Sequence, residues 1–104
     1  MGGPLQEGVH SDKWEIRLQI VRALPLFRWT APQRRRVEAI LLDNIAFPQT
    51  FVRAWALDSL TTVAEHNTKL MPIVLQTIEA FEQSPKKALQ ARAGAIRARL
   101  AARL

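Results

Sequence analysis

Cysteine is missing from all 104 residues, so a disulfide framework, a thiolate metal site and a cysteine nucleophile are excluded. Histidine is scarce: His10 and His66 fall in expected turns, neither with a convincing partner in sequence. Two imidazoles and scattered carboxylates make no metal site by spacing. Glycine is also scarce, and Gly2, Gly3, Gly8 and Gly94 form no phosphate-cradling loop. Gly94 falls within an expected helix, where a missing side chain suits close helix packing. Asp43 and Asp58 show no pairing that would commend them as acid and base. The expectation is a protein that is not an enzyme and holds no metal or cofactor. Long apolar runs are lacking as well, since nothing approaches the roughly 20 residues that cross a bilayer. The opening MGGPLQEGVHSD has no basic start followed by an apolar run, so no signal peptide is expected. These absences suit a soluble chain in a reducing cytoplasm.

Hydrophobic residues make up 48% of the sequence, enough to fill the core of one domain or of a fragment of a repeat array. The formal net charge of +6 invites a nucleic-acid reading, yet its distribution matters more than its sum. Across residues 49–84, Arg53 and Lys69 face Asp58, Glu65, Glu79 and Glu82. From Pro85 onward come Lys86, Lys87, Arg92, Arg97, Arg99 and Arg103, without a single acid.

No window alternates with period two, while prolines and capping residues mark out helical segments. The pattern predicts helices over residues 12–24, 30–45, 49–65, 69–82 and 84–104, with residues 1–11 left as a flexible segment. Pro25 stops the first. TAPQ opens the second, with Thr30 as N-cap, Pro32 in the first turn and Gln33 closing a capping box. A polar HNT turn ends the third, Pro72 sits near the first turn of the fourth, and Ser84 with Pro85 opens the fifth. Short connections make successive helices antiparallel.

A repeat underlies these helices. IRLQIVRAL (16–24), VRAWALDSL (52–60) and ARAGAIRARL (91–100) can be aligned. Arg17, Arg53 and Arg92 each follow an apolar residue, and Leu24, Leu60 and Leu100 close the units. Successive arginines lie 36 and 39 residues apart, a helix-pair period that marks an α-solenoid. The pattern resembles the HEAT repeat family, whose second helix begins with a Val-Arg pair followed by a small residue and a leucine. VEAILLDNIAFPQTFVRAWALDSLTTVAE (37–65) matches best. Residues 70–100 carry Ala91-Arg92 in place of Val-Arg, and residues 12–24 match a second helix alone. Where that family often places an acid before the valine, this chain has Phe47, and Ser11 in the first unit. The resemblance implies a short right-handed α-solenoid of about five antiparallel helices, roughly two and a half repeats. It also implies a non-catalytic scaffold or adaptor that binds another protein.

Several residues are candidates for that contact. Arg17, Arg53 and Arg92 either pair with neighbouring carboxylates and helix-end carbonyls or form a basic ladder on the inner face of the stack. Arg34, Arg35 and Arg36 form a solvated face, with Glu38 one turn from Arg34, or meet an acidic partner. Trp29, in FRWT, either packs as a staple on the second helix or offers a stacking platform. Along the last helix, Leu89, Ala93, Ile96, Leu100 and Leu104 make an apolar stripe expected to cover the fourth helix, with arginines snorkelling outward. The alternative gives Arg92, Arg97, Arg99 and Arg103 to phosphate, making nucleic acid the second candidate partner. Trp55 is expected in the core. Trp14, Leu18 and Val21 lack a covering helix, which predicts self-association through the unfinished N-terminal repeat, or residues 1–9 folding back with Leu5 and Val9 as cover.

Overall fold

Thr30 starts its helix as expected: its hydroxyl accepts the Gln33 N–H at 3.4 Å while the Gln33 side-chain oxygen accepts the Thr30 N–H at 2.9 Å. The computed structural model describes residues 13–103, and the expected flexible segment 1–11 and Leu104 lie outside the described residues. Five α-helices pack compactly: α1 (Trp14–Ala23), α2 (Ala31–Ile45), α3 (Thr50–Ala64), α4 (Met71–Glu82) and α5 (Lys87–Ala101). Among the described residues there is no strand.

Several boundaries differ from the expected ones: the fourth helix begins at Met71 after a 3₁₀ turn, Thr68–Leu70, and the fifth ends at Ala101. Pro25 does not end the first segment at once, because a 3₁₀ turn, Leu24–Leu26, carries the chain through it. Ser84 does not cap α5. Its hydroxyl accepts the Lys86 N–H at 3.1 Å, a local turn that uses up the capping oxygen, so the helix starts at Lys87.

Nine of the fifteen α3 side chains are buried, too many for a single face, and each of the other four helices packs against α3. Trp14 stacks on Phe51 near the starts of α1 and α3, and Ser59 reaches the Val21 carbonyl further along both. These two helices therefore run in the same direction. Arg92 over Trp55 and Arg103 on Glu65 show the same for α3 and α5. In all four pairs the partners are 37 or 38 residues apart. Against α3, α2 runs the other way: Arg53 meets Ile45 at one end and Asn67 meets Glu38 at the other.

Leu41, Leu57, Leu60, Ile78, Phe81, Leu89 and Ile96 form the centre of the core, each 2% exposed or less. Burying each side chain of this size contributes about 1.5–3 kcal/mol. The expected α5 stripe is confirmed at Leu89, Ala93 and Ile96, which are buried, and at Leu100, which packs against the core. Three polar side chains are buried with them, and all are satisfied. Asn44 donates to the Ile40 carbonyl at 2.8 Å and Thr61 to that of Leu57 at 2.8 Å. Ser59 donates to the Val21 carbonyl at 2.7 Å. That carbonyl would ordinarily accept the N–H four residues on, but residue 25 is proline and has none. Ser59 supplies from α3 the donor that Pro25 removes from α1.

Candidate protein-docking site

The repeated arginines hold helix junctions. Arg17 donates to Asn44 Oδ1 at 3.0 Å and lies over the Phe47 ring at 4.0 Å. The aromatic ring thus faces the guanidinium from the position where the resembled family often has an acid. Arg53 Nε donates to the Ile45 carbonyl at 2.7 Å, satisfying an orphan acceptor at the end of α2. Arg92 binds the Asp58 carboxylate at 3.1 Å. The bland expectation, pairing with a carboxylate or a helix-end carbonyl, describes Arg92 and Arg53, while Arg17 meets the Asn44 side-chain amide and the Phe47 ring.

The charge asymmetry has a structural counterpart, because the basic end lies on the acidic middle. Asp58 accepts from Arg92 through one oxygen and from Arg99 through the other, and Arg99 also reaches the Asp58 backbone carbonyl at 3.3 Å. Arg103 pairs with Glu65 at 3.1 Å. Arg97 grips Glu82 through two bonds of 2.8 Å, which hold the Glu82 carboxyl below, and the Arg97 guanidinium above, their ordinary pKa values. Each arginine that the phosphate reading requires therefore already meets a carboxylate. Arg99 Nε is buried without a partner, so this junction is not fully satisfied.

Trp55 is not wholly in the core, contrary to expectation. It is half-buried, with the Arg22 guanidinium 4.4 Å and the Arg92 guanidinium 4.1 Å from its ring centroid. Arg22 brings α1 to this ring and Arg92 brings α5, so the tryptophan ties three helices together. At the N-terminal end, Val21 is buried while Trp14 and Leu18 are half-buried, so α3 gives this stripe more cover than expected. Gly94 is also corrected: an added Cβ would meet nothing within 4 Å, so no close packing depends on it.

The most open apolar surface lies elsewhere, where the α1–α2 connection meets the end of α3. A groove of about 570 Å³ is lined there by Leu26, Phe27 and Trp29 from the connection and Thr62, Val63 and His66 from α3 and its end. Leu26 is 80% and Phe27 61% exposed. Trp29 is held in place: its indole N–H donates to the Leu24 carbonyl at 2.8 Å, and its ring lies 5.7 Å from that of Phe27. It is half-buried against the core, which is the packed alternative for this residue. Pro25, Arg28 and Arg34 complete the lining, and no carboxylate joins them. Arg34, Arg35 and Arg36 are all exposed. The expected Arg34–Glu38 pair does not form, and Glu38 accepts from Asn67 at 3.1 Å.

Of the sequence-derived candidates, the structure brings Trp29 and Arg34 into this groove and sends Arg17, Arg53, Arg92, Arg97, Arg99 and Arg103 to helix junctions. Leu26, Phe27 and Arg28 were missed. The signal for them was PLFRW: two large apolar residues after a proline, outside any helical period that could bury them. Among the described residues no three His, Asp or Glu side chains gather as a metal site, and no helix is long and apolar enough to cross a membrane. No family model, curated protein or solved structure matches the chain.

Proposed function

We propose that the chain is a non-catalytic, HEAT-like helical repeat module, a short right-handed α-solenoid that binds another protein. The observation that carries the binding reading is the Leu26–Phe27 pair, two large apolar side chains open to solvent on the rim of a groove. Adjacent exposed residues of this kind mark interaction surfaces more often than isolated ones do. The repeat reading is supported by the common direction of α1, α3 and α5 and their offset of 37 or 38 residues, close to the sequence period. Protein stands ahead of nucleic acid because the α5 arginines are occupied by Asp58, Glu65 and Glu82.

Affinity capture from an extract of the native host tests the reading, with the wild-type chain and a Leu26→Ser/Phe27→Ser variant as parallel baits. The expected result at about 0.15 M salt is a protein retained by the wild type and lost with the variant, without nucleic acid. Micromolar, salt-sensitive retention of nucleic acid with no protein partner would overturn it.

A further inference from the structure

Apart from its apolar floor, the groove carries arginines that no carboxylate meets, unlike the arginines of α5. Arg92, Arg97, Arg99 and Arg103 each have a carboxylate partner. Arg28 and Arg34 line the groove with no side-chain hydrogen bond or ion pair among the described residues, and His66 lies beside them. Glu38, the nearest acid along α2 from Arg34, is engaged by Asn67. Arg35 and Arg36 extend the positive field, and the α2 N-terminus adds its partial charge from the same side. Exposed apolar side chains ringed by uncompensated cations call for a ligand with the complementary pattern.

The geometry points to an acidic peptide segment carrying a bulky apolar anchor as the occupant of the Leu26–Phe27 groove. This deepens, and rests on, the protein-binding function proposed above. The anchor side chain covers Leu26 and Phe27 against the fixed Trp29 ring, and carboxylates on either side of it meet Arg28 and Arg34. A cavity of about 570 Å³ takes one or two large side chains of such a segment. A nucleic-acid strand would satisfy the arginines but would cover the aliphatic Leu26 poorly, so its binding is an outcome against the proposal.

Selection from a random dodecapeptide display library on the full chain, with counter-selection on Phe27→Ser/Arg34→Glu, tests this without a presumed sequence. Both substituted residues are exposed, and circular dichroism checks that the variant keeps its helices. The enriched peptides are expected to combine Asp and Glu with Leu, Phe or Trp and to bind in the micromolar range. Amide and indole resonances of Trp29 should shift on titration, and those of Trp14 should not. Phe27→Ser and Arg34→Glu should each weaken binding roughly tenfold. A Glu-to-Lys version of the peptide should recover affinity for Arg34→Glu. Absence of enrichment, enrichment of basic or neutral peptides, undiminished binding by either variant relative to the wild type, or displacement by a single-stranded oligonucleotide would each overturn the proposal. Host capture separates the two levels. A protein lost with Leu26→Ser/Phe27→Ser but retained with Arg34→Glu sinks the acidic chemistry and leaves protein binding standing. A bait that retains no groove-dependent protein sinks both.

Discussion

Gly94 is the clearest residue-scale case of a position that function and packing both leave free. It lies within α5 with an ordinary helical backbone, and an added Cβ meets only open space. Replacing it with alanine removes the entropy a glycine loses in a helix and adds no clash. Gly94→Ala is expected to raise stability by about 0.5–1 kcal/mol, seen as a higher urea midpoint with unchanged slope. A loss of stability would show that the α5 backbone needs the glycine after all. Ser59 is the opposite case. Its hydroxyl is the donor that replaces the missing Pro25 N–H at the Val21 carbonyl, and the site is buried. Ser59→Ala keeps the small volume but leaves that carbonyl without its donor, so a loss of about 1–3 kcal/mol is expected in the same measurement. A neutral result would mean that water or a shifted turn reaches the carbonyl.

The docking of α5 on α3 turns on Asp58, whose side chain is only 16% exposed and accepts from two arginines. Removing it strands two partly buried guanidinium groups, one of which already has an unpartnered Nε. Asp58→Ala should cost about 1–3 kcal/mol, the partial exposure placing it below a fully buried pair. Arg103→Gln, at the exposed end of the same helix, should cost under about 1 kcal/mol. Equal losses in the two variants would disprove Asp58 as the main anchor. The Arg97–Glu82 pair adds a pH dependence of known sign. Since the Glu82 carboxyl is held below its ordinary value, its contribution is present above that value and fades as pH falls through the lowered one. Acidification from neutral pH into the range below about 4.3 should therefore lower the urea midpoint more in the wild type than in Glu82→Gln. At this scale the sequence was legible wherever the cause is local. The capping box of Thr30 and Gln33, the start of α3 at Gln49 and the α5 stripe all act within one or two turns. It was illegible where the cause is tertiary. Asp58 meets arginines 34 and 41 residues away, and Asn67 meets Glu38 across 29 residues. The groove likewise exists only once the end of α3 lies beside residues 25–29.

For the molecule as a whole, the question is whether five helices melt as one. α3 packs against all the others, and α4 and α5 also pack on each other, so α3 cannot leave without exposing the centre of the core. A stack in which each helix touched only its neighbours would allow an end to fray separately. Here the end helix α1 is tied to α3 at three places: Trp14 on Phe51, Ser59 on the Val21 carbonyl, and Arg22 on Trp55. The three tryptophans report on α1, on the α1–α2 connection and on α3, so single-tryptophan variants can follow each region by fluorescence. Their urea transitions are expected to coincide with one another and with the far-ultraviolet helical signal, the mark of two-state unfolding. Leu60→Ala, a substitution in the centre of α3, should shift all four curves together by about 2–5 kcal/mol. An early transition at Trp14 alone, or a Leu60→Ala shift that spares it, would show that α1 folds as a separate unit and that its three ties do not couple it to the core.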